Sequence, residues 1–508
     1  MKNNDIKRDV ALLYFAHFLS ILLGALTLKV ILMGSTQADF SNFLIIKRFS
    51  VLFAPIITLN LGVALAHFIS EKKNFALKFF LQSLIVISII VFFVFVIFLV
   101  YTGAISSLLF GDINLRYYVF PSLFFTIAYC AHLLFSGYYR GLQNFYYLNF
   151  LQLLYWLISF LVSYLLYVFY AGEMYALTFI SYFSVIYLLL SVLLFFRFNR
   201  RNNKNDNKLA ITWNSQLFMY GGTRIFNGIF VATLFFIPLS LSVQGGLPVA
   251  IIANIGVLIV LVKTLQSSVA PLNVLFLPYF SNIKTDEDYK RINRSLEYVL
   301  DIIMTFPVFI STALYFYSYD IIYFWFGPDY LGINATFQFL IIPTVFYLIY
   351  IVISGVLNGI YKFPYVTLIS FLSLMVMVVL SIINIAHISY ATIISSLSFS
   401  LYVLGGASLL LFYILFYNKV NFLNAKNLRT FIIMSSYFLS VFYIFNFMPT
   451  IILYFSERIH LSSVFQFYIF SFIVKTIIWA SFSLLALYLL NLNKHLWVEK
   501  ILQFIFRK

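Results

Sequence analysis

The sequence predicts an all-α membrane protein of about fourteen transmembrane helices, built as two six-helix lobes related by a parallel pseudo-two-fold plus a C-terminal helix pair. Three observations predict this. The 508 residues are 63% hydrophobic and only 9% charged, the composition of a polytopic membrane protein rather than a soluble domain. Apolar runs of the roughly 20 residues needed to cross a bilayer follow one another almost end to end. A short motif also occurs twice, SGYYRGLQNFYY from Ser136 to Tyr147 and SGVLNGIYKFPY from Ser354 to Tyr365. Laid together without gaps, Ser136/Ser354, Gly137/Gly355, Gly141/Gly359, Phe145/Phe363 and Tyr147/Tyr365 coincide. Each copy follows a Phe-Gly pair at a similar distance, Phe110-Gly111 and Phe326-Gly327. Internal duplication of this kind implies two similar halves.

Taken in order, the first lobe (1–196) holds spans at 10–33, 43–69, 76–101, 115–138, 145–171 and 174–196. The first of these begins at Val10 and has no small-residue cleavage site after it, so it reads as a span and not a signal peptide. The second carries Pro55, which predicts a kink. The first SGxxxG copy closes the fourth span; its glycines end a helix, permit a tight turn and let neighbouring helices approach. A basic linker (197–215) follows, including the polar stretch RFNRRNNKNDNK from Arg197 to Lys208. The second lobe (216–417) holds spans at 216–242, 248–272, 296–319, 333–357, 363–385 and 388–417, with Pro238 and Pro271 in its first two. A cytoplasmic loop and spans 430–455 and 463–490 make up 418–490. In the tail (491–508), Leu492, Leu496, Trp497, Ile501, Leu502 and Ile505 recur at helical spacing among lysines, which predicts a helix lying along the inner membrane surface.

Charge fixes the orientation. Loops on the side of the N-terminus carry Lys72, Lys73 and Lys78, then Arg140, the Arg197–Lys208 cluster, Lys284, Lys290, Arg291 and Arg294, Lys362, and Lys419, Lys426 and Arg429. The opposite loops carry only Arg116 and Arg458. Cytoplasmic loops of membrane proteins are enriched in Lys and Arg, so both termini are cytoplasmic and the net charge of +16 needs no nucleic-acid partner. An even number of spans separates the two motif copies, so the halves share one orientation, a parallel repeat.

Catalytic signatures are missing from the sequence. His17, His67, His132, His387, His460 and His495 are scattered, with none at metal-ligand spacing, and the lone Cys130 sits in an apolar run as a small hydrophobe. There is no phosphate-binding GxxxxGK[ST] and no nucleophile GxSxG. The sequence therefore predicts a non-enzyme without cofactor or metal. What remains is a set of basic residues inside the spans: Lys29, Lys47, Arg48, Arg224, Lys263 and Lys475. A cation at the centre of a spanning helix costs about 2.5–3.5 kcal/mol on insertion scales and seeks a watery cavity or a partner. Lys475 is read as snorkelling to an interface, and Lys47 admits the same reading. Embedded carboxylates are scarcer: Asp39 near the outer mouth, and Glu297 and Asp301 at the inner start of the ninth span. Many cations and few anions suit an anionic cargo.

The chain resembles the polysaccharide transporters (O-antigen and related flippases) of the multidrug/oligosaccharidyl-lipid/polysaccharide exporter superfamily. The resemblance is carried by the six-plus-six-plus-two span order, by YGGTRIFNGIF opening the second half, by LPYFSNI from Leu277 to Ile283, and by FWFGPDY from Phe324 to Tyr330 leading into SGVLNGIYK. It implies a flippase of the bacterial cytoplasmic membrane that moves undecaprenyl-pyrophosphate-linked oligosaccharide from the inner to the outer leaflet by alternating access. It further implies a cationic cavity, for which Lys29, Lys47, Arg48, Arg224 and Lys263 are the candidate substrate-binding residues. The implied partners are the lipid-linked sugar, the bilayer, and the polysaccharide polymerase and chain-length proteins. Two other readings are a cation-coupled multidrug exporter of the same superfamily and an integral-membrane O-antigen polymerase or ligase. The exporter typically has twelve spans and embedded carboxylates for cationic drugs; the enzyme usually carries a large outer loop, and every outer loop here is short.

Topology is directly testable. Reporter fusions at Asn203, Asn358 and Asn424 are expected on the cytoplasmic side, and fusions near Ser106, Gly245 and Arg458 on the opposite side. One central loop on the wrong side contradicts both the span count and the parallel repeat.

Overall fold

The computed structural model describes residues 3–170, 175–202, 214–281, 286–361, 363–384, 387–416, 430, 432–441, 443–444 and 464–491. The described residues are helical with short connections and contain no strand. The helices are α1 (Asn3–Gly34), α2 (Gln37–Thr58), α3 (Leu61–Glu71), α4 (Ala76–Val100), α5 (Thr102–Phe110), α6 (Val119–Gly141), α7 (Phe145–Phe169) and α8 (Tyr175–Asn202). They continue with α9 (Ser215–Gln244), α10 (Val249–Ser281), α11 (Asp286–Phe326), α12 (Asn334–Ile360), α13 (Tyr365–Ile383) and α14 (Tyr390–Phe416). Last come α15 (Ile432–Val441) and α16 (Val464–Asn491). Among the described residues, 12 helices are long and apolar enough to cross a membrane, which makes this a multi-pass membrane protein. The helix α16 occupies the position of the expected final span, while half of the thirteenth span, the loop before it and nearly all of the amphipathic tail lie outside the described residues.

Most spans begin and end within a few residues of the hydropathy boundaries, but the second does not run unbroken from 43 to 69. It is two helices, α2 and α3, separated at Leu59 and Asn60, whose φ values of 48° and 50° are left-handed. Pro55 lies inside α2, before the break. The amide of Asn60 donates to the Pro55 carbonyl and that of Leu59 to the Ile56 carbonyl, the closing pattern of a helix C-terminus, here without the usual glycine. A left-handed non-glycine residue costs roughly 1–2 kcal/mol, so the break has to be held by its surroundings. A second feature, the short helix α5, stands where the sequence predicted only an outer loop. It ends at Phe110-Gly111, and both repeated Phe-Gly pairs end a helix at a glycine of positive φ. Gly111 (φ 73°, ψ −1°) is left-handed helical and Gly327 (φ 93°, ψ 176°) is extended, and each is followed by a short 3-10 helix, Ile113–Tyr118 or Pro328–Ile333, that feeds the next spanning helix.

The chain divides into two compact units. The larger comprises Arg8–Asn282 with Ser354–Leu404, and so includes α2 to α10 and α13. The grouping follows packing across the sequence halves, because α9 and α10 lie against α2 and α3. The SGxxxG copies serve this packing. A Cβ at Gly137 would strike the Gly62 backbone on α3, and one at Gly141 would lie 2.9 Å from the Leu65 carbonyl oxygen. At the matching position of the second copy, a Cβ at Gly355 would sit 3.0 Å from Asn273 Oδ1 on α10. Behind α6, Phe80, Phe135 and Phe195 stack with ring centroids 4.3–5.6 Å apart, joining α4, α6 and α8.

The smaller unit comprises Met1–Lys7, Ile283–Ile353 and Gly405–Lys508. In it α11 and α16 are keyed by side-chain contacts that run in opposite chain directions. Trp479 Nε1 lies 3.5 Å from Thr312 Oγ1, Tyr317 bonds Thr476 at 2.9 Å and Asp320 bonds Lys475 at 2.6 Å. Tyr437 of α15 bridges Thr312 (2.9 Å) and Ser483 (2.8 Å). Antiparallel packing is what a ninth and a fourteenth span require.

Gly137→Val forces a side chain into the α3 backbone, and overpacking of this kind costs about 1–3 kcal/mol. Membrane abundance of Gly137→Val is expected to fall sharply. Gly222→Val, where a Cβ meets nothing within 4 Å, is expected to accumulate near the parent level. Immunoblotting of membranes measures both.

Candidate functional site

Helix α2 enters with Thr36 as its N-cap, whose hydroxyl accepts from the Asp39 amide at 3.2 Å. Asp39 itself is buried. It accepts from the Tyr118 hydroxyl and, at 2.7 Å, from the Ala176 amide at the N-terminus of α8, where a carboxylate is electrostatically favoured. The start of α2 is thereby fixed, and the cations lie farther along it.

Helix α10 approaches α2 closely because Gly256 has no side chain: a Cβ there would lie 2.5 Å from Leu44 Cδ1. Lys47 and Arg48 follow Leu44 by one turn, and Lys263 follows Gly256 by two. The charge of Arg48 acts on both lysines and on Tyr129 of α6. Lys263 Nζ donates to Gln266 Oε1 at 3.2 Å and lies 3.9 Å from the ring centroid of Phe235 on α9. Lys47 Nζ lies 5.6 Å from the ring centroid of Trp156 on α7, and the same indole packs against Gly24 of α1. A cation over an aromatic face gains about 0.5–2 kcal/mol. This offsets part of the cost of placing charge at this depth.

The structure thus brings together Lys47, Arg48 and Lys263, three of the residues singled out from sequence. Lys29 is half-buried on α1, beyond Gly24 in the chain. Arg224 is elsewhere, in the first half of α9 beside the α2–α3 break. It is 3% exposed, its guanidinium lies 3.6 Å from the ring centroid of Tyr220, and Nη2 donates to the Tyr361 carbonyl at 3.3 Å. Its own carbonyl accepts from Asn60 Nδ2 at 3.0 Å, and a Cβ at Gly221 would lie 2.7 Å from the Leu59 carbonyl, so α9 holds the left-handed pair in place. Arg140, at the end of the first SGxxxG copy, donates from Nη2 to the Asn273 carbonyl at 2.9 Å, and Asn273 Nδ2 donates to Ser354 Oγ at 3.3 Å.

Sequence reasoning missed Arg140, Asn60 and Asn273. Arg140 was counted as an ordinary inner-loop charge. A weak signal for the asparagines existed: each follows a leucine in an apolar run, Leu59-Asn60 and Leu272-Asn273, and each lies beside a glycine contact, at Gly62/Gly137 and at Gly355. Lys475 corrects another expectation. It does not snorkel; it is buried and ion-paired with Asp320, an acid that sequence reasoning passed over. A charge that can reach a partner on a packed neighbour gains more than one extended toward a distant interface. Among the described residues, no group of three His, Cys, Asp or Glu is placed to hold a metal.

Solved structures with this fold are transporters. A MATE transporter, VcmN of Vibrio cholerae, in its bent form superposes with TM-score 0.61 at 11% identity, covering 82% of this chain and 98% of that one. The outward-facing form of a multidrug resistance MATE family transporter of the MOP superfamily gives 0.61 at 13% identity, covering 81% and 96%. The eukaryotic MATE transporter AtDTX14 gives 0.59 at 12% identity, covering 80% and 96%. No family profile matches the sequence, and no curated protein matches it. The chain has the MATE transporter fold.

Lys475→Met leaves Asp320 buried and unpaired, a loss of about 3–5 kcal/mol. Membrane abundance of this variant is expected to collapse, and Asp320→Leu/Lys475→Met, which removes both charges, is expected to recover much of it. Equal abundance of the single and double variants contradicts a structural ion pair.

Proposed function

We propose that this protein is a flippase for undecaprenyl-pyrophosphate-linked oligosaccharide, carrying repeat units from the inner to the outer leaflet of the cytoplasmic membrane by alternating access. The observation that carries the reading is the meeting of Lys47, Arg48 and Lys263 where α2 and α10 converge, beside the rings of Trp156 and Phe235. A pyrophosphate bridge is multiply charged and cannot enter hydrocarbon unaided. Fixed cations replace its water shell, Arg48 through a planar fork and the lysines as point charges. The aromatic faces beside them suit the apolar faces of sugar rings, while the isoprenoid tail remains in lipid. Lys29, on α1, serves cargo on its way out, and Arg224 meets it at the inner ends. The halves 1–196 and 216–417 are the bodies assigned to the rocking motion, with α2 and α3 against α9 and α10 as the surface that opens.

Multidrug export is the second reading, favoured by the described activity of one structural neighbour. A cationic drug needs an available embedded carboxylate. Asp39, the buried acid nearest the cation cluster along α2, is already engaged by Tyr118 and the α8 N-terminus. The sign of the charge cluster therefore favours anionic cargo.

Depletion of the protein in its host is expected to accumulate lipid-linked repeat units on the inner leaflet while their synthesis continues. Arg48→Met with Lys263→Met is expected to reproduce this at near-normal protein abundance. Undiminished polymer export after depletion, with no second flippase present, contradicts the assignment.

A further inference from the structure

At the inner ends of α6 and α9 are two arginines whose guanidinium groups are held by backbone carbonyls and, among the described residues, by no carboxylate. Arg140 bonds the Asn273 carbonyl, and Arg224 bonds the Tyr361 carbonyl. Its bond to the Tyr220 carbonyl, at 3.5 Å, is at the limit of useful length. The Nε atoms of both arginines and the hydroxyl of Tyr220 are buried without a hydrogen-bond partner. All three border α3: Arg224 lies 3.6 Å from the ring centroid of Tyr220, that ring stacks on His67 of α3, and Gly141, next to Arg140, packs against Leu65 of α3. The ring of Tyr220 stacks on His67 at 4.5 Å, and Glu71 lies 3.8 Å from that imidazole and also acts on Tyr220. A buried polar atom without a partner normally costs about 1–3 kcal/mol. Three such atoms beside two positive charges describe a site whose ligand is an anion.

The same bonds close the inner ends. Arg140 ties α6 to α10, Arg224 ties α9 to the end of α12, and Asn60 ties the α2–α3 break to α9. We propose that Arg140, Arg224 and Tyr220 form an inner phosphate site that doubles as a latch: a diphosphate takes the guanidinium groups away from the carbonyls, unties α6 from α10 and α9 from the end of α12, and so frees α9 to draw away from α3. The exchange is favourable because a phosphate offers the guanidinium a full opposite charge where a carbonyl offers only a dipole, and the planar fork donates to two phosphate oxygens at once. The site rests on the transport reading for its purpose, and it is separate from the Lys47–Arg48–Lys263 cluster.

The test reads opening, not export, so its outcome is independent of which cargo is carried. Ala64 is fully buried on α3, and its Cβ lies 3.6 Å from a Cβ built at Gly221 of α9. In full-length protein carrying Cys130→Ala and Ala64→Cys, reconstituted in nanodiscs, alkylation by an impermeant maleimide reports separation of these helices. Inorganic pyrophosphate or farnesyl pyrophosphate is expected to raise the alkylation rate roughly tenfold, within the usual range of coupling between sites. Acceleration by both assigns the site to the diphosphate group alone, by farnesyl pyrophosphate only to a lipid headgroup, and by the inorganic ion only to a free phosphate. Arg140→Gln and Arg224→Gln are expected to be alkylated fast without ligand and to gain nothing from it. Arg140→Lys, which preserves charge and fold, is expected to lie between. If neither compound accelerates the parent, or if the glutamine variants remain slow and still respond, the latch is overturned.

Discussion

A bilayer offers polar groups no water, so each one buried among these helices must be satisfied by protein. That constraint organises the structure. Asp39 is tied to Tyr118 and the start of α8, Asp320 to Lys475, Asn60 to the Arg224 carbonyl, and Arg140 to the Asn273 carbonyl. Each bond joins helices far apart in sequence, so the satisfied polar groups double as the register marks of the fold. Glycines supply the approach that such short bonds need, as at Gly137 against Gly62 and Gly256 against Leu44.

The break between α2 and α3 shows the constraint at its most demanding. Two consecutive left-handed residues interrupt a run that stays apolar on both sides, and they are kept by Asn60 and by the close contact with Gly221. The freed backbone is partly covered by protein, and irregular structure survives at membrane depth where protein supplies its partners. Because the stabilising groups come from α9, the break is stable only while α9 is in place. A helix whose shape depends on a neighbour is suited to changing when the neighbour moves.

Much of the fold was legible in the sequence because hydropathy ends where lipid ends: 76–101 was expected and α4 is Ala76–Val100. That Lys47, Arg48 and Lys263 stand in corresponding spans of the two halves was legible too, but which of the five cations lie near one another was not. The α2–α3 break was not, because Leu59 and Asn60 leave the apolar run intact and their conformation is fixed from across the structure. Neither was the Asp320–Lys475 pair, whose members are on α11 and α16 and meet only once those helices take an antiparallel register. Arg140 was hidden by the positive-inside pattern itself, which gives every inner-end arginine a sufficient explanation before its partner is known.

The central claim is that a buried cation cluster on α2 and α10 carries a diphosphate-linked lipid across the membrane. The most direct measurement is flipping in proteoliposomes of a fluorescent short-chain polyprenyl-pyrophosphoryl oligosaccharide, read as loss of protection from an external quencher. Protein-dependent flipping of this compound, abolished by Arg48→Met/Lys263→Met and competed by the unlabelled lipid but not by lipophilic cations, is the result the account predicts. Equal flipping by the doubly substituted protein, or transport of lipophilic cations in place of the anionic lipid, contradicts it.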